Sequence, residues 1–260
     1  MPKVSVIIPC FNHGHYLLET INSIIQHPDK ELYEIIIVND GSTDEATIKI
    51  LKEQEINGYN IIHQKNQGSS AARNTGIKAA KAEYILPVDS DNRIRHNYMD
   101  KAIEILDKNH EIAVVYGNSC FFGEEEKENK VPDFCIRKLI AYNYIDTCAV
   151  FRKKVWKDVG GFDSEMPLMG YEDWEFWLAV ASKKWGFYHI NEVLFEYRVS
   201  STSQVCNAKN NRDVLLRYTY EKHAEMINRE FHNMLNELNT LKKSNKALLH
   251  YLKKNIFNIR

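Results

Sequence analysis

Five short runs of β-branched and apolar residues, at 4–9, 34–38, 61–64, 84–88 and 112–116, alternate with stretches whose apolar residues recur at helical spacing. Tyr16, Leu17, Ile21, Ile24 and Ile25 form the first such face, and segments 70–82 and 96–109 form others. Strand, helix and strand in this order return to one sheet in parallel. The chain therefore predicts an α/β architecture, a mostly parallel central sheet flanked by helices. Ser42 and Glu45, three residues apart ahead of a helical pattern, read as a capping box.

Past Gly117 the alternation weakens, and residues 124–130 read as a charged, solvated loop. A strand at 145–151, helices at 153–159 and 171–183, and strands at 187–190 and 193–197 complete a unit expected to span residues 1–205. Beyond Gly186 there is neither Gly nor Pro, so residues 206–260 read as a nearly continuous helical tail. From Tyr220 to Leu252 its apolar residues are spaced alternately four and three apart, the seam of a coiled coil, with Asn245 at a core position. A homo-oligomer, dimer or trimer, is expected. Two other readings stay open: a helix folded back on its own domain, and contact of the basic end (Lys242, Lys243, Lys246, Lys253, Lys254, Arg260) with anionic lipid.

Charge is balanced, 34 Lys and Arg against 35 Asp and Glu, which argues against a general nucleic-acid binder. No apolar run approaches the ~20 residues of a membrane span, and the N-terminus lacks the pattern of a signal peptide. A cytoplasmic protein is expected, at most peripheral on the inner membrane face. Five cysteines form no CxxC pair, so neither a disulfide framework nor a zinc cluster is indicated.

In open parallel sheets ligands bind beyond the carboxyl ends of the strands. Here those ends carry Cys10-Phe11-Asn12, Asn39-Asp40-Gly41-Ser42 and Asp89-Ser90-Asp91-Asn92. Neither of the common Gly-rich phosphate loops is present, so a nucleotide would need a metal ion. Asp89 and Asp91, at i and i+2 past a strand, would point to one side and offer hard oxygens to Mg²⁺ or Mn²⁺. The same residues are also good turn and helix-cap chemistry. Residues 68–76 open a helix with small residues and one cation, Arg73, suited to a diphosphate. Glu172 and Asp173 start an aromatic helix, where the helix dipole alone favours acids.

Taken together and in this order, these segments resemble family 2 glycosyltransferases of the GT-A fold. The resemblance rests on Val4 through Asn12, on Ile37-Val38-Asn39-Asp40-Gly41-Ser42-Thr43-Asp44, on Asn66-Gln67-Gly68 with Ala72-Arg73-Asn74-Thr75-Gly76, and on Tyr84 through Asp91. Gly160-Gly161-Phe162-Asp163 and Tyr171-Glu172-Asp173-Trp174-Glu175 extend it, to cover about residues 3–203. It implies that Pro9, Asn12, Asp40, Gly68, Arg73, Asp89, Ser90 and Arg198 bind the nucleotide sugar, Asp40 accepting from the base. Asp89 and Asp91 would be the DxD pair holding Mn²⁺ or Mg²⁺, Asp173 the general base, and Glu172 and Trp174 acceptor or sugar contacts. Ser203 would approach the diphosphate. The implied reaction is inverting transfer from a nucleotide sugar, a UDP-sugar by expectation, to a glycan or lipid-linked acceptor. One departure stands out: a His that often completes the metal site in a Tyr-Arg-x-His stretch is Ser200 here. The rival readings are a nucleotidyltransferase, which gives no role to the Glu172-Asp173 pair, and a non-catalytic nucleotide-sugar-binding or scaffolding protein.

Overall fold

The computed structural model describes residues 1–200 and 211–255. Its first half is β1 (Val4–Cys10), α1 (Gly14–Ile25), β2 (Tyr33–Asp40), α2 (Glu45–Ile56), β3 (Asn60–Gln64), α3 (Gly68–Ala79) and β4 (Tyr84–Pro87). β1 lies between β2 and β4, parallel to both, and β3 extends the row beyond β2. The chain thus builds outward from β1 to one side and then crosses to the other. That reversal opens a crevice at the carboxyl ends of β1, β2 and β4.

β5 (Arg93–Ile94), α4 (Tyr98–Lys108), β6 (Ile112–Gly123), β7 (Lys127–Asn129), α5 (Ile136–Ala141), β8 (Val150–Arg152), α6 (Lys153–Val159), α7 (Glu172–Ser182) and β9 (Gly186–Val199) follow. The sheet runs β3-β2-β1-β4-β8-β6-β9-β5, with β7 paired to β6. Among the described residues four strand pairs are parallel and four antiparallel, so the second half is mixed where the alternation in sequence fades. The core is the apolar filling of β1, β2 and β4 against Leu17, Ile21 and Ile24 of α1 and Tyr98, Met99, Ala102 and Leu106 of α4. On the opposite face α3 approaches β1 and β2 so closely that a Cβ at Gly76 would sit 2.5 Å from Ile7 Cγ2.

Several expected boundaries move. α2 is capped by Asp44, whose carboxylate accepts from Thr47 N–H at 2.8 Å, while Ser42 Oγ accepts from Asn12 N–H instead of capping. The charged segment 124–130 contains β7, stitched to β6 as a hairpin. Of the expected 145–151 strand only Val150 and Phe151 lie in the sheet, in β8, which runs on to Arg152. The two expected strands at 187–190 and 193–197 are one strand, β9, with register shifts opposite Gly117 and Asn118.

The chain divides into two compact units, Met1–Thr219 and Tyr220–Arg260. The expected boundary at 205 lies outside the described residues, as does Ser203. Within the first unit, Leu215 of α8 (Arg212–Lys222) buries itself with Met166, Tyr171 and Tyr218, and Tyr218 donates to Asp163 at 2.7 Å. The second unit is a long helix, α9 (Ala224–Asn255). His223 separates it from α8, so the tail is two helices where the sequence reads as nearly one. No described helix is long and apolar enough to cross a membrane.

Candidate active site

The ends of β1 and β2 are tied to each other. Asn12, in the left-handed region at φ 55°, accepts from Thr43 and Asp44 N–H at 2.8 and 3.0 Å through its side-chain oxygen. Asp40, 3% exposed, accepts from Gln64 Nε2 and Gln67 N–H with one oxygen and from Gly68 N–H, at 2.9 Å, with the other. The last bond sits at the start of α3, where negative charge is favoured by the helix dipole. Gly68 has φ +87°, which an L side chain adopts only with strain, so the loop delivers its N–H to Asp40 because the residue is glycine.

One turn further along α3, Arg73 is buried. Its Nη2 donates to Asp89 Oδ1 at 2.7 Å and Nη1 to Glu172 Oε1 at 3.4 Å, and Phe162 lies under the guanidinium at 5.6 Å. Burial works against the Arg73 charge, but Asp89 and Glu172 outweigh it and bind the proton more firmly than usual. Its Nε has no acceptor among the described residues. Asn74, the next residue, pins the Gly160–Phe162 segment by donating to Phe162 C=O at 2.7 Å and accepting from Phe162 N–H and the Trp156 indole.

Asp89 and Asp91 do not alternate on an extended strand. The chain turns at 89–92, closed by Asn92 N–H to Asp89 C=O at 3.0 Å. The turn is clamped from below: the buried Thr20 hydroxyl of α1 lies 2.9 Å from Ser90 C=O and 2.7 Å from Asn92 C=O. Arg198 of β9 donates through Nε to Asp91 C=O at 3.1 Å and through its backbone N–H to Asn92 Oδ1. The Arg198 guanidinium lies between the rings of Tyr16 and Phe122, at 4.1 and 4.3 Å, and pairs with Glu19. Burial, and then the charge of Asp89, push the Asp91 carboxyl up to about 6.

Across from this turn, Asp173 stands in the first turn of α7. Its Oδ1 accepts from Trp174 N–H at 2.7 Å and its Oδ2 from Asn143 Nδ2 at 2.9 Å. Burial, followed by Glu172 and Asp146, raises its carboxyl to about 8. Asp146 is itself raised to about 7, by burial and by Asp89, and its carboxylate accepts from Cys148 N–H. The Tyr197 hydroxyl is held well above its ordinary range by burial and by the fields of Asp146, Asp89, Asp91 and Asp173. Four carboxylates therefore act on one place.

Residues 5–160 match the family described as Glycosyl transferase family 2, more than half of the chain. The chain belongs to glycosyl transferase family 2. Glycosyltransferase GlyG of Streptococcus pneumoniae is 33% identical over 144 residues, covering 52% of this chain and 46% of that one. The chain spans 15 to 46% of the length of three such relatives. Among solved structures, TarS 1-349 of S. aureus in complex with UDP-GlcNAc superposes with a TM-score of 0.65 at 21% identity, covering 88% of this chain and 73% of that one. The mannosyltransferase PcManGT of Pyrobaculum calidifontis, in complex with GDP-Man and Mn²⁺, gives a TM-score of 0.65 at 16% identity over 86% of this chain and 64% of that one. At these identities the likeness is one of fold, and the fold is GT-A.

In this family 2 glycosyltransferase Arg73 brings Asp89 and Glu172 together, while Pro9 is half-buried near the end of β1, paired with Val38 of β2. Glu172 is 7% exposed and accepts from Ser69 Oγ, Gly170 N–H and Arg73. Burial alone would raise its pKa, yet Arg73 and Ser69 hold it low. Trp174 is buried with its indole N–H on Leu139 C=O at 2.6 Å, so it shapes the site from behind and Tyr171, packed edge-on against it, is nearer the surface. Ser90 is buried in the turn. Thr20, Asn143 and Asp146 carry no signal in sequence, and Tyr197, which opens the Tyr-Arg-x-Ser stretch, is given no role by it. Asp146 lies inside a run that reads as a buried strand, and the others are single polar residues within helix, loop and strand patterns.

Asp89 and Asp91 fit a hard divalent cation by chemistry: two carboxylate oxygens sets, one of them disfavoured as an isolated charge. Among the described residues no three His, Cys, Asp or Glu side chains converge to form a closed metal cage.

Proposed function

We propose that this chain moves a glycosyl group from a UDP-sugar to a hydroxyl of a glycan or lipid-linked acceptor, with inversion at the anomeric carbon. One observation carries the reading: the bonded path from Asp89 through Arg73 to Glu172, which ties the turn after β4 to the start of α7, where Asp173 stands with its carboxyl near 8. A base titrating near the working pH is what proton removal from an alcohol requires. UDP and UDP-GlcNAc in TarS, and GDP-Man with Mn²⁺ in PcManGT, support a nucleotide sugar as donor.

In this reading Pro9, Asn12 and Gly68 line the nucleoside pocket. Asp40 spends three of its acceptor positions on Gln64, Gln67 and Gly68, which leaves room for one N–H of the base. Arg73, whose buried Nε–H has no acceptor among the described residues, and Ser90 would lie toward the phosphates, and Arg198 holds the turn that carries Asp91. Asp89 and Asp91 would hold a divalent cation, which when bound supplies Lewis-acid stabilisation of the diphosphate. Asp173 takes the acceptor's proton onto a carboxylate oxygen as the hydroxyl oxygen bonds to the anomeric carbon. The bond from that carbon to the phosphate oxygen breaks, and the nucleoside diphosphate leaves with its electron pair. A single displacement inverts the centre.

Asp173→Asn separates binding from chemistry, because the amide keeps the shape but accepts no proton. Thermal shifts with UDP-sugars and GDP-sugars, with and without Mn²⁺, name the nucleotide, and transfer assays on the variant read the base. Nucleotide binding retained with transfer abolished is expected. Near-normal turnover in Asp173→Asn removes it as the base, and a shift with GDP-sugars alone reassigns the donor.

A further inference from the structure

The long helix α9 carries an apolar seam that its own unit leaves in water. Phe231, Met234, Leu238, Leu241 and Leu248 follow one another at alternating spacings of three, four and seven, and are 40 to 60% exposed. A helix showing such a stripe gains little by standing alone, since its stability comes from burying that face. With Phe231 and Leu238 at a and Met234, Leu241 and Leu248 at d, Asn245 falls at a; Leu235 and Leu249 widen the apolar face at e, and the opposite charges among the flanks are Glu237 at g and Lys242 at e.

Those flanks decide the partner and its direction. Glu237 at g and Lys242 five residues on at e have the relation that opposes them, one on each strand, in a parallel pair of identical helices in register. The pairing occurs twice by symmetry. In an antiparallel pair, g faces g and e faces e, so the acidic g positions Glu230 and Glu237 would face g positions and lose Lys242. Asn245 would meet its own copy across the seam only in the parallel register, where its amide finds a partner and any slip buries it against Leu. One Asn at a single a position specifies register and oligomer number, and two such amides facing each other across one layer form a closed pair. We propose that residues 224–250 bind a second copy of this chain as a parallel, in-register, two-stranded coiled coil, bringing two glycosyltransferase units together at one end.

The test uses the full chain. Sedimentation equilibrium at micromolar concentration is expected to give twice the chain mass of 30.4 kDa. Leu248→Cys under mild oxidation is expected to cross-link to a dimer well beyond the background of the unsubstituted chain's own cysteines, because only the in-register parallel arrangement sets position 248 against itself. Lys242→Glu is expected to weaken the dimer about tenfold, and adding Glu237→Lys to restore it. A monomer, a trimer, or a dimer that leaves Leu248→Cys uncross-linked overturns the proposal. So does a monomer that floats with vesicles of phosphatidylcholine and phosphatidylserine, which assigns the basic stretch to lipid. Mass is read without substrate, so this result stands apart from the proposed reaction.

Discussion

Arg73 Nη2 lies 2.7 Å from Asp89 Oδ1, and the same guanidinium reaches Glu172 at 3.4 Å, so one buried cation joins α3, the turn after β4 and the first residue of α7. Glu172 is 7% exposed, and among the described residues Arg73 is its ion-pair partner. Removing one member of such a group leaves the remaining charge uncompensated in a poorly solvated place.

Arg73→Ala is therefore expected to destabilise the protein by about 3 kcal/mol, read from the midpoint of urea unfolding. Arg73→Lys keeps the charge and loses the fork that spans both carboxylates, so it should fall between the two. A wild-type midpoint in Arg73→Ala would mean the bridge contributes nothing to the fold.

Asp173 gives two pH signatures of opposite use. Its carboxyl rises from an ordinary 3.8 to about 8 in the folded state. Between those values the folded protein binds the extra proton, so the Asp173 contribution to stability falls as pH rises from about 4 to 8 and is level above that. Asp173→Asn lacks this loss: its melting temperature should match wild type near pH 4 and exceed it by a few degrees at pH 8. Transfer by the wild type should rise with pH through the same upper limb, because the base acts deprotonated. A flat rate profile between pH 6 and 9 speaks against Asp173 as the proton acceptor.

Asp91→Ala should abolish the metal-dependent part of UDP stabilisation while leaving the metal-independent part. Bound ligand favours the folded state by mass action, so thermal shift reads the difference directly. In the wild type the metal-dependent part should weaken as pH drops through about 6, where Asp91 takes up its proton. A Mn²⁺-dependent UDP shift that survives in Asp91→Ala would take this residue out of the metal site.

Thr20→Val tests the clamp beneath the turn. The change keeps the shape and deletes the hydroxyl near the Ser90 and Asn92 carbonyls, leaving buried acceptors short of a donor at a cost of about 1–2 kcal/mol. We expect a folded variant whose UDP affinity in Mn²⁺ falls about tenfold, and recovery in Thr20→Ser, which returns the hydroxyl. Equal loss of affinity with and without metal would mark Thr20 as general scaffolding.

Much of the parallel half is legible from the chain alone. Runs such as Val4-Ser5-Val6-Ile7-Ile8 and Ile36-Ile37-Val38 are buried on both faces, so their composition is unambiguous, and the polar residues that end them stand where strands of an open sheet expose their termini. Asp40, Asp89 and Asp91 are conspicuous for that reason, and Arg73 and Asp173 because each stands near the start of a helix. Capping is where the chain misleads: Ser42 has the residue type of a cap, yet Asp44 takes that role, because the Asn12 N–H, thirty residues away, donates to the Ser42 hydroxyl and the Asn12 side-chain oxygen accepts from Thr43 and Asp44 N–H.

What the sequence by itself determined is the order of elements and the residue types at strand ends, since both follow from local periodicity and from which side chains tolerate burial. Tertiary structure alone decided that β8 and β9 return through the sheet as they do, that Glu172 is consumed by Ser69, Gly170 and Arg73, and that Asn143 and Asp146 join Asp173. These are contacts between residues tens of positions apart, made by loops whose polar residues look alike in sequence. Their pKa shifts, too, arise from burial and from neighbouring charge, and neither quantity exists until the chain has closed on itself.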